Sequence, residues 1–281
     1  MNTREDRLSK SMMGIPPSGI RKFFEMLIGH DDVISLSVGE PDFATPWCMR
    51  EEAFYHLEKG HTSYTSNWGL IELREEISKY MQRYNMHYNP QKEILITVGA
   101  SEGVDVVLRA ILNPGDEILV CQPCYVNYAP LAELCQAKVV PIDTSVNGFY
   151  PTAEQVEKAV TPKTKAIMIC SPNNPTGTMI PASELEKIAK VCIKNQIWVI
   201  SDEIYCELAY DGSEHVSIGS FPGMKDYTII LNGFSKSFAM TGWRIGYIPA
   251  PAELLAQIVK VHGYNTICAP IFSQYAATEG A

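Results

Sequence analysis

TKAIMICSPNNPTG, residues 164–177, changes character halfway along. From Ala166 to Cys170 every residue is apolar, and from Ser171 to Gly177 the composition is that of a tight turn. A strand with one face in water alternates apolar and polar residues, whereas a strand covered on both faces has no need to. The run therefore reads as a strand buried between two layers, and it delivers the amides of Asn173 and Asn174 at its carboxyl end. The same unit recurs on either side. EILITV leads into Gly99-Ala-Ser-Glu-Gly103, WVISDE into Ile204 and Tyr205, and YTIILNG into Phe234, Ser235 and Lys236, while DEILVCQP and KVVPID complete the set. Between most of these runs lie helical stretches. The clearest is SELEKIAKVCIKN, 183–195, for which Pro181 and the Ser183-x-x-Glu186 spacing predict a capping-box start. The alternation predicts an α/β fold with a mostly parallel central sheet covered by helices on both faces. In such open sheets ligands bind beyond the carboxyl ends of the strands, and separate strands here bring polar groups to that one edge.

The chain has 281 residues, 46% of them hydrophobic and 20% charged, which fits one large domain or a large and a small one. The first 46 or so residues are rich in Pro and Gly (IPPSGI, VGEPDFATP) and read as an arm and a contribution to a second, small domain, with the large domain over 47–281. A net charge of -9 argues against nucleic-acid or anionic-membrane partners, which need clustered Lys and Arg. The opening MNTREDRLSKSMMGIPPSG lacks the apolar centre of a signal peptide, and no run is long enough to span a bilayer, so a cytoplasmic location is expected. The eight cysteines lie mostly in apolar stretches and read as buried free thiols. Cys121 and Cys124 have a metal or redox spacing, yet no second pair or suitably spaced histidines accompany them, and no metal site is expected.

Four motifs carry chemistry. Gly99–Gly103 turns a strand into a helix whose free N–H groups, with the Ser101 hydroxyl, can hold a phosphate, although the glycine alone would equally serve a bare turn. Asp202 closes an apolar strand, and a desolvated carboxylate there asks for a cationic partner; Glu203 beside it reads as solvated. Lys236 sits among Phe234, Phe238, Met240 and Trp243. A free lysine is neutral in only about one molecule in a few thousand at pH 7, so it becomes a nucleophile only in a dry setting or beside a second cation. Arg244 can be that cation and can also grip a phosphate with two parallel hydrogen bonds. A ligand that suits all of them carries a phosphate, a cationic ring atom and an aldehyde, and pyridoxal 5'-phosphate has all three.

The stretch from Gly233 to Gly246 resembles the lysine signature of the class I aminotransferases of aspartate and aromatic type, members of the fold-type-I pyridoxal-phosphate enzymes. SVGEPDFATP, YTSNWGLIELREEI, SPNNPTG and SDEIY match the same family in order, and the resemblance runs from about residue 15 to the end. It implies that Lys236 forms the internal aldimine and carries the proton between substrate Cα and cofactor C4′. By the same resemblance, Asp202 pairs with the pyridine nitrogen, and Asn174 and Tyr205 bond the ring's phenolic oxygen. Arg244, Ala100 and Ser101 are implied to bind the phosphate, and Tyr125 to stack on the ring. Gly39, with Asn174, is implied to lie against the substrate. Tyr64 corresponds to a residue that reaches the neighbouring subunit's phosphate, which implies a homodimer. The implied activity is transfer of an amino group between an L-amino acid and a 2-oxo acid by a ping-pong route, with a carbon-sulfur β-lyase or another eliminating member of the fold as the alternative. A ligand-sensing regulator would need a DNA-binding module, for which there is no room before residue 15.

Two departures from the family pattern stand out. Gly233 occupies a position where many relatives have a hydroxyl residue, so that phosphate contact is expected to be either lost or replaced by Ser235 or Thr266. The chain also stops at SQYAATEGA, before the segment in which the family builds most of its small domain and places the arginine that grips the substrate's α-carboxylate; no arginine follows Arg244. The sequence is therefore read as C-terminally truncated, with the cofactor half nearly complete and the substrate half missing. VHGYNT, 261–266, holds no arginine to read a distal carboxylate, and His262 within it reads as an ordinary half-buried residue.

Overall fold

The computed structural model describes residues 7–17 and 39–281. After a short helix α1 (Lys10–Met13), the chain forms α2 (Trp47–Glu58), α3 (Ile71–Gln82), β1 (Ile94–Thr97), α4 (Gly99–Ile111), β2 (Glu117–Gln122), α5 (Tyr128–Leu134) and β3 (Lys138–Asp143). There follow α6 (Ala153–Ala159), β4 (Thr164–Cys170), α7 (Ala182–Asn195), β5 (Trp198–Asp202), β6 (Thr228–Gly233), β7 (Gly246–Pro249), α8 (Ala252–Asn265) and α9 (Ile271–Gly280).

The strands make one seven-stranded sheet in the order β1-β7-β6-β5-β4-β2-β3. Pairing is parallel from β6 through β3, and β7 runs antiparallel to both β6 and β1. Because β1 and β6 flank the same reversed strand, β1 points with the parallel set, and the carboxyl ends of β1, β4, β5 and β6 share one edge. The sheet is thus mixed, and β7 escaped the sequence reading because GYIP is short, ends in proline and overlaps the lysine motif.

Burial explains the unbroken apolar runs. Ile118, Val120, Met168 and Ile200 face a layer that includes Val104, Val107 and Leu108 of α4 and Leu255 and Ile258 of α8. Their strand neighbours Leu119, Ile167, Ile169 and Val199 face the opposite layer, with Leu185, Ile188 and Cys192 of α7. A third cluster sets Ile94, Ile96 and Ile230 against Leu73, Ile77 and Met81 of α3. Each such side chain taken from water contributes roughly 1.5–3 kcal/mol, which is why both faces must be covered before strands of this composition persist.

Helix α7 forms where the sequence predicts, but its start differs. Pro181 is the N-terminal cap and makes no side-chain cap bond. The helix begins at Ala182, which moves Ser183 inside it; Glu184 instead accepts the Ala153 N–H and pairs with Lys187. The reciprocal box lies in α6, between Thr152 and Gln155. All eight cysteines are free; Cys170, Cys192 and Cys206 are buried, and Cys48 is exposed, contrary to the expectation of buried thiols throughout. Burial raises the Cys124 thiol to about 11 and Cys121 further. Among the described residues no helix is long and apolar enough to cross a membrane.

Candidate active site

The site is assembled at the shared carboxyl edge. At Thr97 and Gly233 the flanking strands meet β7 through the single residue Gly246. A Cβ on Gly246 would lie 2.6 Å from the Ala100 nitrogen, so its absence allows the first turn of α4 to sit directly on the sheet. Gly99, with φ of +73°, makes the turn into that helix, and a Cβ there would lie 2.5 Å from an Arg244 guanidinium nitrogen. The guanidinium therefore lies over Gly99 at the start of α4. Arg244 itself takes the left-handed conformation, φ 53°, and its Nη1 donates to the Thr241 carbonyl at 2.9 Å. Free helix N–H groups and an exposed guanidinium on the same spot form a cradle for an anion.

The expected hydroxyl three residues before Lys236 has no space. A Cβ at Gly233 would stand 2.9 Å from the Gly246 Cα and from the Ile245 carbonyl oxygen. The departure from the family pattern is thus imposed by the close approach of β6 and β7. Thr266 does not substitute for that hydroxyl, since its Oγ1 lies 3.2 Å from Glu102 and from the His262 carbonyl. Ser235 is buried within the turn after β6.

Asp202 ends β5 with its side chain buried. The Tyr128 hydroxyl and the Ile204 N–H donate to its carboxylate. Among the described residues no cation pairs with it. Burial pushes its carboxyl up to about 6, with the repulsion of Glu203 adding and the two hydrogen bonds opposing. Tyr128, missed in the sequence, is carried by the first turn of α5; its only signal was its place one helical turn after Tyr125. Glu203 corrects a second expectation. It is buried rather than solvated, accepting from Ser201 Oγ at 2.9 Å and Ser217 Oγ at 2.6 Å, with His215 Nε2 at 3.2 Å. Two of its partners, His215 and Ser217, sit more than ten residues downstream, where no strand pattern points to them.

Tyr205, on the turn after β5, joins the pieces. Its hydroxyl accepts from Asn174 Nδ2 at 2.9 Å, and the Lys236 ammonium lies 5.9 Å from its ring centre. Lys236 is half-buried and donates to the Gly39 carbonyl at 3.0 Å. Burial lowers its pKa, with Arg244 adding to the effect and Glu40 opposing it. Tyr125 packs edge-on against Tyr128 at 5.7 Å. A cavity of about 640 Å³ opens here, lined by Gly39, Glu40, Phe43, Tyr205, Tyr210 and Lys236 among others. The structure thus connects Lys236, Tyr205, Asn174 and Gly39 directly and places Asp202, Arg244, Ala100 and Ser101 on the same sheet edge. Tyr64 is not brought to this cavity; it is 79% exposed and lines a separate hollow beside Tyr275. Among the described residues no group of His, Cys, Asp and Glu forms a metal-binding cluster.

A lysine of lowered pKa, a buried carboxylate and an arginine over a helix start thus share the carboxyl edge of a mostly parallel sheet. Comparison with known proteins gives the family. Residues 31–281 match the family described as aminotransferase class I and II. The chain belongs to that family. It is 50% identical over 275 residues to the Bacillus subtilis protein named "Putative aminotransferase YugH", covering 97% of this chain and 71% of that one. It is 44% identical to an aspartate aminotransferase of Pyrococcus abyssi, over 94% of this chain and 69% of the relative. In structure it matches the aspartate aminotransferase of Thermus thermophilus with maleate at a TM-score of 0.92 and 36% identity, covering 97% of this chain and 72% of that one.

Proposed function

We propose that the chain acts as a pyridoxal-phosphate-dependent aminotransferase that moves an amino group between an L-amino acid and a 2-oxo acid by ping-pong exchange. The observation that carries this reading is Asp202, a buried carboxylate whose partners among the described residues are neutral donors. Its missing countercharge matches a protonated ring nitrogen, and the Gly99 cradle, which a single Cβ would fill, matches a phosphate. When bound, pyridoxal phosphate supplies an aldehyde that captures the substrate amine and a protonated ring that draws electrons from the substrate Cα.

The chain's own residues supply the rest. Asp202 holds the proton on the ring nitrogen. Asn174 and Tyr205 address the phenolic oxygen, Tyr125 covers a ring face, and Arg244 with Ala100 and Ser101 binds the phosphate. Burial and Arg244 shift Lys236 toward the neutral amine, with Glu40 opposing, and the neutral amine is the form that anchors the aldehyde and then moves a proton at the substrate Cα. Gly39, already touching the lysine, takes the substrate carboxylate end of the cavity. Residues 47–281 form the cofactor-binding unit; the arm and small-domain contribution read in residues 1–46 lies largely outside the described residues. Tyr64, facing solvent, reaches the phosphate of a second copy in a homodimer.

The test is an absorption titration of the purified chain with pyridoxal phosphate beside a Lys236→Ala control, with borohydride trapping mapped by mass spectrometry. A visible band that depends on Lys236, label on that residue, and turnover that requires a 2-oxo acid are the expected results. No lysine-dependent band would sink the cofactor reading, and steady release of pyruvate and ammonia without an acceptor would sink the transfer reading in favour of elimination.

A further inference from the structure

Glu102 lies one turn inside α4, directly behind the proposed phosphate cradle. One carboxylate oxygen accepts the Val98 N–H, the backbone donor that caps this helix. The other lies 2.8 Å from His262 Nδ1 and 3.2 Å from the Thr266 hydroxyl, both at the last turn of α8. His262 is fully buried, and its Nε2 has no hydrogen-bond partner. A carboxylate can only accept, so the histidine proton that serves it sits on Nδ1. An orphaned buried ring nitrogen costs stability, which makes the contact on the other nitrogen a requirement rather than an accident of packing.

The arrangement sets two demands against each other. The helix start must attract a phosphate dianion, yet a half-buried carboxylate of the same sign lies within a turn of it, where water screens the repulsion only in part. We propose that His262 and Thr266 are positioning residues for the anion cradle. They hold the Glu102 carboxylate against α8, where it fixes Val98 and the first turn of α4 without opposing the phosphate, and the N–H groups of Gly99, Ala100 and Ser101 stay aimed at the ligand. The inference rests on reading that cradle as the phosphate site. It also gives His262 and Thr266, neither of which lines the Lys236 cavity, a role in cofactor affinity rather than in substrate choice.

The experiment compares equilibrium binding of pyridoxal phosphate with that of pyridoxal, which has the aldehyde and ring but no phosphate, so that a general loss of folding and a loss at the cradle separate. Arg244→Ala is expected to erase most of the preference for the phosphorylated form. His262→Ala is expected to weaken pyridoxal phosphate about tenfold, the scale of one charge-assisted hydrogen bond, while leaving pyridoxal unchanged. In a Glu102→Gln background the same substitution should cost less than about threefold, because an amide does not repel the dianion. Should His262→Ala fail to fold, Thr266→Ala is measured the same way, with a loss of about threefold expected for a neutral bond. Equal weakening of both ligands, no change in either, or the same loss with and without the Glu102 carboxylate overturns the inference. If Arg244→Ala leaves the preference intact, the cradle reading itself is wrong; if only the His262 effect is missing, the cradle stands and the positioning role falls.

Discussion

Replacing Asp202 by asparagine should stabilise the ligand-free chain at neutral pH while abolishing cofactor capture. The carboxyl is displaced from an ordinary value of 3.8 to about 6, with burial the largest cause. At about 1.4 kcal/mol for each tenfold, holding it ionised costs the folded state about 3 kcal/mol once the pH is well above 6. The sign follows from the direction of the displacement. The folded state binds this proton more tightly than the unfolded chain, so the group's contribution is fully present below about pH 4 and is lost as pH rises through about 6. The amide of the Asp202→Asn variant carries no charge and escapes that loss, although one amide hydrogen goes without an acceptor at a cost of about 1 kcal/mol. Urea unfolding of both proteins from pH 4 to pH 8 measures the effect. The difference in unfolding free energy should swing toward the variant by about 3 kcal/mol across that range, and saturating pyridoxal phosphate should shrink the swing for the parent chain alone. A difference that stays flat with pH would refute the claim that Asp202 is an uncompensated buried charge, and with it the main support for a cationic ring at this place.

Other substitutions test separate parts of the reasoning. Gly233→Ser, which restores the family's hydroxyl, should destabilise the chain by about 2 kcal/mol or more in chemical denaturation, because its Cβ meets the backbone of Gly246 and Ile245. Gly99→Ala should weaken pyridoxal phosphate more than pyridoxal in the same titrations, since the methyl group displaces the Arg244 guanidinium and strains a positive φ. His215→Ala leaves the buried Glu203 with only its serine donors and should cost about 3 kcal/mol in urea unfolding. Tyr205→Phe removes the oxygen that accepts from Asn174 and should cost about 1 kcal/mol, with a shift in the cofactor's absorption band as the second readout.

Strand identity and layer order were legible because Ala166–Cys170 and its counterparts are apolar on both faces, a pattern that few arrangements besides a covered sheet can satisfy. The grouping of Asn174, Tyr205 and Lys236 followed from the same logic, as each comes directly after a strand that ends at one edge. What escaped were contacts made across the sequence. Tyr128 beneath Asp202, and His215 and Ser217 around Glu203, lie on elements with no pattern of their own to announce a partner. Glu203 was misjudged for that reason, since a carboxylate at a strand end is normally hydrated unless something distant encloses it. The capping box failed through a shift of two residues, the usual scale of uncertainty at helix ends.

The order of strands in the sheet sets a timetable for synthesis. β1 is fully buried in the finished protein, yet among the described residues its one strand partner is β7, roughly 150 residues later in the chain. At ribosomal speeds of about 5–20 residues per second, ILIT waits on the order of ten seconds or more before it can pair. For that interval it is an uncovered sticky edge, and the anion cradle, which needs Gly246 and Arg244 to arrive, does not yet exist. On the proposed reading, cofactor capture therefore has to wait until Gly246 and Arg244 have been made and β7 has paired with β1, and a shortage of chaperone capacity should show first as aggregation of nascent chains.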